Sequence, residues 1–367
     1  MGASEPKKFL FVIHPYAREH FLTRKELAWT RFLPFPLVER VATWLNPLFL
    51  GKFDLKSKTG AVAHGYLIGL TETPRMMMAL PPEHTYRKLE RAAAMLAKKG
   101  VALMGLGAYT SVIGDAGETL AKRVPIGITT GNSLTVASTI ASLRQMASVL
   151  DKPLNQCGVL VVGATGSIGS ACARKLAPEV HALVAAGRHS KRVEALCKEL
   201  RASAPNTKIE GAVGTDSVDF SNVDFIITTT SSHTQVLDIL KVKPGTVIFD
   251  VALPPDIPAS EGRKRADVLV LETGEMLAPF PPDAAYRLPL PPGVLYGCLT
   301  ETALLALEGR SESYSIGRTI DLEKVDEILR IAEKHGFQPA PFRSYGRPVT
   351  DTDFEKLKKA VSRKGAK

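Results

Sequence analysis

The chain has 367 residues, of which 45% are hydrophobic and 23% charged, a balance that excludes a disordered chain and is typical of a globular protein. Its net charge of +10 favours an acidic partner, but no zinc-finger spacing and no basic region with heptads is present, so we expect no nucleic-acid binding. The four cysteines include no C-x-x-C pair, so we expect no disulfide framework, no metal site and a reducing, cytoplasmic setting.

The N-terminal region predicts an α/β substrate domain that extends to residue 131. Phe9–Ile13 is a short apolar run and predicts the first strand. Tyr86–Lys99 has the periodicity of an amphipathic helix that ends at Gly100, and Val101–Leu106 predicts the strand that follows. Strands and helices in alternation are typical of a sheet that is covered by helices.

Within this domain, the segment Trp29–Phe53 is crowded with aromatic and large aliphatic residues. We expect no transmembrane span, because Arg31, Glu39 and Arg40 would be buried in lipid and prolines interrupt the run. Three interpretations are open. The segment is a loop and short helix packed on the core, an apolar wall for a long acyl chain, or an interfacial segment in peripheral contact with a membrane.

A glycine-bounded turn, Gly107–Gly114, follows the strand at 101–106 and contains Thr110 and Ser111. Hydroxyl side chains among glycines are typical of turns and caps. The alternative is a polar floor that binds a substrate carbonyl, so Thr110 and Ser111 are candidate catalytic residues. Further along, Asn132 or Ser133 is placed to cap a connecting helix.

The segment Cys157–Ala171 predicts a short apolar strand, a tight glycine turn and the start of a helix. Its glycines have the spacing G-x-x-G-x-x-G. The first glycine allows a sharp turn, the second a close approach of a pyrophosphate, and the third close packing of helix and strand. The helix would direct free N–H groups at the phosphates. We therefore predict a dinucleotide site formed by Gly163, Ala164, Thr165, Gly166, Ser167, Ile168 and Gly169.

The end of the next predicted strand, His181–Gly187, indicates which dinucleotide binds. An NAD site commonly has an Asp or Glu at this point. This sequence has no carboxylate there and instead has the cations Arg188, Lys191 and Arg192. An arginine can bind a 2′-phosphate, and a hydrogen bond to a charged group contributes about 1.5–3 kcal/mol. A solvated helix start is the alternative, but we expect Arg188 to favour NADPH.

The alternation of strands and helices continues towards residue 271. Further strands are predicted at 208–211, 224–229, 246–251 and 267–271. This order predicts a doubly wound parallel sheet of the Rossmann type, which binds ligands beyond the carboxyl ends of its strands. Thr229 would therefore line the nicotinamide ribose. His233, in the loop that follows, is either an acid at this edge or an ordinary surface histidine.

Cys298 lies at the predicted start of a helix, after the proline-rich loop Ala278–Pro292 and directly after Gly297. A helix dipole stabilises a thiolate by about 0.3–1 kcal/mol, and by up to about 2 when partly buried. We therefore expect the pKa of this thiol to fall from about 8.5 to about 7.5. A nucleophilic cysteine and a buried structural cysteine are both consistent with the pattern.

Several blocks, in order between about His64 and Pro339, resemble the long-chain acyl-[acyl-carrier-protein] reductases. They are His64–Gly65, Gly107–Ser111, Thr130–Asn132 with Thr135, Val162–Ser170, Cys298 with Glu301, Leu304–Leu305, Glu308–Gly309, Gly317–Arg318 and Lys334–Pro339. The resemblance implies that Cys298 takes the acyl group from acyl-carrier protein or CoA as a thioester, which NADPH reduces to a fatty aldehyde. The likeness becomes weak before His64, and Trp29–Phe53 and Ser232–His233 depart from the family pattern.

The predicted organisation has four parts. They are the N-terminal α/β substrate domain (1–131), a connecting helix (132–154), an NADP-binding Rossmann domain (155–292) and a C-terminal helical segment with Cys298 (293–367). Two other classes of function are open. One is an NADP-dependent small-molecule dehydrogenase of the shikimate or amino-acid type, although the sequence has no S-x-T-K-P-x-K stretch. The other is a non-catalytic NADP-binding protein.

Overall fold

The computed structural model describes residues 7–15, 25–230, 236–284 and 288–362, which form two compact units. The first unit contains the chain up to residue 134, together with 277–318 and 327–338. The second contains residues 135–276 and 319–326 and the chain from 339 onward. The chain therefore leaves the first unit, builds most of the second, and returns.

The strands and helices have the following bounds. The strands are β1 (Lys7–Ile13), β2 (Leu48–Lys56), β3 (Val62–Gly69), β4 (Val101–Leu106), β5 (Gly127–Thr129), β6 (Gly158–Val162), β7 (Ala182–Gly187), β8 (Lys208–Val213), β9 (Phe225–Thr228), β10 (Val247–Asp250), β11 (Leu269–Glu272), β12 (Glu275–Leu277), β13 (Asp283–Ala284), β14 (Val294–Tyr296), β15 (Gln338–Pro339), β16 (Arg343–Ser344) and β17 (Arg347–Pro348). The helices are α1 (Phe35–Ala42), α2 (Pro74–Ala79), α3 (Pro82–Ala97), α4 (Glu118–Arg123), α5 (Asn132–Val149), α6 (Ser167–Leu176), α7 (Ser190–Ser203), α8 (Ala259–Gly262), α9 (Gly297–Leu307), α10 (Leu322–His335) and α11 (Asp351–Ser362).

The first unit is built on a mixed sheet with the strand order β13-β2-β3-β1-β4-β5. β1 lies parallel to β3 and β4, and β2 runs antiparallel to β3. On one face, Leu10 and Met104 are buried in a cluster with Leu89 of α3. Side chains alternate between the faces of a strand, so Phe11 and Gly105 point to the other face. A Cβ at Gly105 would lie 2.1 Å from Thr302 Oγ1 of α9, so α9 covers that face closely.

The second unit contains a sheet with the order β17-β16-β11-β10-β9-β6-β7-β8. The strands from β11 to β8 are parallel, and β16 is added antiparallel to β11. Every residue of β6, β9 and β10 is buried, as expected for parallel strands covered on both faces. The strand order reverses between β6 and β9, where such sheets bind ligands. The predicted Rossmann-type, doubly wound α/β fold is confirmed.

Some elements differ in extent from the sequence-based expectation. α3 begins at Pro82, four residues before the predicted start, because proline is well suited to the first turn of a helix. The segment 29–53 contributes α1 and most of β2, and the regular strand within it was not expected. None of the helices in the described ranges is long and apolar enough to cross a membrane.

Candidate functional site

The glycine turn of the second unit connects β6 to α6. Gly163 has a φ of 81°, in the left-handed region that favours glycine. A Cβ at Gly169 would lie 2.3 Å from the carbonyl oxygen of Gly163, so this position accepts no larger residue without movement of the backbone. Gly166 is exposed, and the nearest atom to a Cβ there would be the same oxygen at 3.2 Å. The turn is therefore closed on its inner side and open at Gly166, as a pyrophosphate site requires.

Thr229 supports this turn from the end of β9. Its hydroxyl donates to the carbonyl oxygen of Val162 at 3.1 Å and lies 3.4 Å from that of Gly163. A Cβ at Gly163 would lie 2.9 Å from the same hydroxyl. The structure thus brings the predicted residue Thr229 against the glycine turn, where it fixes the backbone.

The first turn of α6 carries the rest of the predicted dinucleotide residues. Ala164 is buried, whereas Thr165, Ser167 and Ile168 are partly exposed. Gly166 is the N-cap of α6, and no side chain accepts a hydrogen bond there from the first N–H groups. These N–H groups and the positive end of the helix dipole fit a phosphate.

The predicted cationic site lies at the end of β7. Arg188 and His189 are exposed, and α7 begins at Ser190 with no side-chain cap from His189. An open depression here is lined by Arg188, His189, Ser190, Lys191 and Arg192. Guanidinium and ammonium groups beside a helix N-terminus fit a phosphate group that is not buried.

Two carboxylates, Asp250 at the end of β10 and Asp256 in the loop that follows it, were not candidates in the sequence analysis. Asp250 accepts hydrogen bonds from Thr228 Oγ1 at 3.0 Å and from the N–H groups of Ala252 and Ile257 at 3.1 and 2.9 Å. Burial raises the pKa of Asp250 to about 7, and the charge of Asp256 adds to this shift. Asp250 thus holds the loop after β10 at the ligand-binding edge of the sheet. Its position at the end of a buried strand was the available sequence signal.

In the first unit, Cys298 is the second residue of α9 and is partly exposed. The backbone N–H groups of Ala108 and Leu299 act to lower the pKa of its thiol, and Ala108 has a left-handed φ of 49°. Burial of the sulfur nevertheless raises the pKa of Cys298 to about 11, although those N–H groups oppose the shift. The expected fall to about 7.5 is therefore wrong, because desolvation outweighs the helix terminus.

Gly131 allows the loop after β5 to lie directly against Cys298. Its φ is 74°, and a Cβ at this position would lie 2.0 Å from Cys298 Cα. Thr302 Oγ1 donates to the carbonyl oxygen of Cys298 at 2.9 Å. The backbone around the thiol is therefore fixed from both sides.

Glu301 lies one helical turn after Cys298 and is completely buried. Its carboxylate accepts hydrogen bonds from Thr129 Oγ1 and, at 2.9 Å, from the N–H of Leu134. Burial raises the pKa of Glu301, although hydrogen bonds from these donors and from Gly131 oppose the shift. Glu301 thereby connects α9 to the loop after β5. The sequence resemblance included Glu301, but no role was assigned to it.

The candidate residues Thr110 and Ser111 are buried in a turn beside the thiol. Thr110 Oγ1 donates to the carbonyl oxygen of Gly107 at 2.7 Å, and Ser111 Oγ donates to that of Ala108 at 2.6 Å. Both hydroxyl groups thus donate within the turn, as expected for residues that stabilise a turn or cap. The hydroxyl oxygens retain lone pairs but offer no O–H donor to a substrate in this arrangement.

His14 was missed by the sequence analysis. It is 6% exposed after β1, and its Nε2 accepts the N–H of Tyr109 at 3.0 Å. Its Nδ1 lies 3.1 Å from the carbonyl oxygen of Pro15, so the proton of the neutral ring is on Nδ1. His14 therefore fixes the turn that contains Ala108. A polar residue at the end of a central strand was the available signal. His233, by contrast, lies outside the described residues.

The comparisons with known proteins include one family model, which matches the region of the second sheet. Residues 145–274 match the family model of shikimate / quinate 5-dehydrogenases. The chain is 33% identical over 310 residues to aminotransferase PigE from a Serratia species, covering 82% of this chain and 35% of that protein. It is 28% identical over 308 residues to the long-chain acyl-[acyl-carrier-protein] reductase of Synechococcus elongatus, covering 80% of this chain and 87% of that protein. The chain thus spans about a third of the length of PigE.

Among solved structures, L-tryptophan dehydrogenase from Nostoc punctiforme aligns with a TM-score of 0.39 and 12% identity, covering 98% of this chain and 89% of that one. The doubly wound sheet, the open glycine turn and the match over residues 145–274 identify this region as a domain that binds NAD(P)H. The cofactor class and the fold are those of an NAD(P)-dependent oxidoreductase.

Proposed function

We propose that the protein is an NADPH-dependent reductase that converts a long-chain fatty acyl thioester into a fatty aldehyde through an acyl group bound to Cys298. The observation that carries the proposal is the environment of the Cys298 thiol, which lies in the first turn of α9, against the loop at Gly131, with the N–H groups of Ala108 and Leu299 acting to lower its pKa. Such N–H groups stabilise negative charge that develops during acyl transfer. The likeness to an acyl-[acyl-carrier-protein] reductase supports the same chemistry.

The first half-reaction is a thioester exchange. Cys298 Sγ forms a bond to the carbonyl carbon of the substrate, the bond from that carbon to the carrier sulfur breaks, and the cysteine proton leaves with the carrier thiol. Because burial raises the pKa of Cys298 to about 11, this proton is still present when the substrate arrives at neutral pH. The substrate is carried on acyl-carrier protein or CoA.

The second half-reaction releases the aldehyde from Cys298. The glycine turn at residues 163–169 and Arg188 would hold the nucleotide, which would supply the hydride that reduces the acyl carbon, and Cys298 Sγ is the leaving group when the bond from that carbon to sulfur breaks. The cysteine regains a proton, which restores the free thiol. A covalent tether keeps the acyl carbon in one place and makes this step effectively intramolecular.

We propose that NADPH is preferred over NADH because Arg188 and its basic neighbours accept the 2′-phosphate. Arg188→Ala should weaken NADPH binding by about one to two orders of magnitude and leave NADH binding nearly unchanged. Arg201→Ala, at the far end of α7, is the matched control for loss of a positive charge. Equal loss for both nucleotides would contradict the assignment.

The covalent step is tested by incubating the enzyme with a long-chain acyl thioester in the absence of NADPH. We expect a mass increase of one acyl group on Cys298, and none in Cys298→Ala. Cys157, Cys172 and Cys197 are buried and serve as internal controls. Addition of NADPH should remove the adduct and yield aldehyde. An unmodified Cys298 under these conditions excludes the covalent mechanism.

A second candidate is an NADP-dependent dehydrogenase of a small hydroxy or amino acid, which the family match over residues 145–274 supports. That match covers the nucleotide-binding region and does not select a substrate. Such a site uses a Lys–carboxylate pair in the N-terminal domain. The first unit contains a buried pair, Lys88 and Glu72, at 2.7 Å, but Lys88 also lies 3.3 Å from the carbonyl oxygen of Ala42, where it supports a helix end. Turnover of a small hydroxy acid that survives Cys298→Ala would favour this candidate.

A further inference from the structure

Large apolar side chains are exposed along one face of α1. Leu37 and Val41 are 45% and 37% exposed, and Trp44, in the turn that extends the helix, is 86% exposed. Their spacing of four and three residues places them on the same face. Phe32, shortly before the helix, is 74% exposed. We call Leu37, Val41 and Trp44 the outer face of α1, and Phe32 is an exposed aromatic residue that precedes the helix.

The opposite face of α1 is held firmly by the first unit. Val38 and Ala42 are buried, with partly buried apolar residues packed against them. Glu39 is 3% exposed and binds the guanidinium of Arg75 and, at 2.6 Å, the hydroxyl of Thr73. The helix is therefore oriented by specific contacts, and its outer face is presented in a fixed direction.

The carboxyl end of α1 is also anchored by buried polar groups. Thr71 Oγ1 donates to the carbonyl oxygen of Ala42 at 2.7 Å, and Lys88 Nζ lies 3.3 Å from the same oxygen. His84 Nε2 lies 3.1 Å from the carbonyl oxygen of Thr43. A cation and hydrogen-bond donors at this point stabilise a helix as short as eight residues. Exposure of the outer face is thus not the result of a loosely attached segment.

The exposed charged side chains of residues 28–53, the segment that contains α1, are all basic. Within residues 28–53, the exposed ionisable side chains are Arg31, Arg40 and Lys52, and the single acid, Glu39, is buried in its ion pair. The guanidinium of Arg31 lies 4.5 Å from the ring centroid of Phe32. An apolar stripe with an interfacial tryptophan and flanking cations is typical of a helix that lies in the headgroup region of a membrane.

We propose that the outer face of α1 docks on the surface of an anionic phospholipid bilayer. Leu37, Val41, Trp44 and Phe32 would enter the boundary between headgroups and acyl chains, while Arg40 contacts lipid phosphates. The positive charge selects an anionic lipid surface over a neutral one. The inference is independent of the reaction proposed above, because it rests on α1 alone.

The test is flotation of the full-length protein with phosphatidylcholine vesicles, with and without phosphatidylglycerol. We expect binding to the anionic vesicles and little to the neutral ones. Arg40→Gln should weaken that binding by about fivefold, the effect of one cation near an anionic surface. The double variant Leu37→Ser with Trp44→Ser should abolish it. Leu240→Ser, which changes a leucine that is 60% exposed in the second unit, is the matched control and should bind like the parent protein.

A fluorescence measurement covers the case in which the double variant fails to fold. The chain has two tryptophans, so Trp29→Phe leaves Trp44 as the sole tryptophan. Its emission should shift to shorter wavelength with anionic vesicles and be quenched by brominated lipid. No binding to anionic vesicles, or binding with no change at Trp44, would overturn the proposal. Self-association that is lost in Trp44→Ser, without vesicle binding, would assign the face to a second copy of the chain and also overturn it.

Discussion

At the scale of single residues, the candidate acyl site contains two ionisable groups one helical turn apart, the partly exposed Cys298 and the buried Glu301. Burial raises the pKa of both groups, and the charge of Glu301 adds to the shift at Cys298. The helix terminus that would lower the thiol pKa is visible in the sequence as Gly297 followed by a helical repeat. The desolvation that outweighs it comes with the packing of distant parts of the chain, such as the loop at Gly131, against Cys298, so the sequence could not indicate it.

The raised pKa of Cys298 predicts a steep pH dependence for its alkylation. The thiolate is the reactive form, so below the pKa of about 11 its fraction rises with pH. The rate of iodoacetamide modification at Cys298 should therefore increase about tenfold for each pH unit between about 7 and 9. Peptide mass spectrometry measures this rate. A plateau beginning near neutral pH would show that the pKa is not raised in solution.

Glu301→Gln should have opposite effects on stability and on thiol reactivity. Glutamine has one acceptor oxygen where the carboxylate has two, so either the hydrogen bond from Thr129 or the one from Leu134 meets an NH2 group and is lost, and we expect a loss of about 1–3 kcal/mol in the free energy of unfolding. Removal of the negative charge lowers the pKa of Cys298, so alkylation at a given pH should become faster. Urea denaturation and the alkylation assay give the two measurements. Unchanged stability would contradict the packing described for Glu301.

At the scale of elements, two glycines of the β6–α6 turn are needed for different reasons. Gly169 is required by the packing of the turn on itself, whereas Gly166 leaves one side open. The sequence predicts this turn well, because the strand, the glycines and the helix are contiguous and each has a local signal. The sequence is a poor predictor of the secondary structure of the segment 29–53. There, hydrophobic residues occur both on the buried side of α1 and β2 and on the exposed side, so no period marks the strand.

We expect replacement by alanine to have different effects at Gly169 and at Gly166. Gly169→Ala places a methyl group 2.3 Å from the carbonyl oxygen of Gly163 and should destabilise the fold by about 1–3 kcal/mol. Gly166→Ala meets that oxygen at 3.2 Å and should fold with nearly the parent stability while binding NADPH at least about tenfold more weakly, since the methyl group occupies the pyrophosphate side. Thermal melts and nucleotide titrations separate the outcomes. Normal NADPH affinity in Gly166→Ala would contradict the proposed cradle.

At the scale of the whole molecule, the second unit is far more predictable from the sequence than the first. The second unit is built mainly from consecutive strand–helix pairs, so local patterns determine its order. The first unit takes α9 from residues 297–307, after the chain has built most of the second unit. No local sequence pattern indicates that the chain returns to the first unit. A domain boundary placed from composition alone therefore separates α9 from the sheet that it covers.

The net charge of +10 predicts that the effect of salt on kcat/KM differs between an acyl group on an acidic carrier protein and one without a charged carrier. If the acyl group arrives on an acidic carrier protein, electrostatic attraction speeds the encounter, and added salt screens it. Between low and moderate salt, kcat/KM for an acyl-carrier-protein substrate should fall by about tenfold, while that for a short acyl thioester without a charged carrier should change little. Equal salt dependence for the two substrates would argue against a charged carrier.

The close contact of α9 with Gly105 has a consequence for the design of shortened forms of the protein. Thr302 reaches the strand only because Gly105 has no side chain, so the sheet of the first unit was shaped around a partner supplied nearly two hundred residues later. A fragment that ends at residue 134 would keep β1 to β5 but leave uncovered the apolar face on which α9 packs, so we expect it to aggregate. A shortened protein meant to isolate the first unit must therefore join the segment 277–338 to residues 1–134.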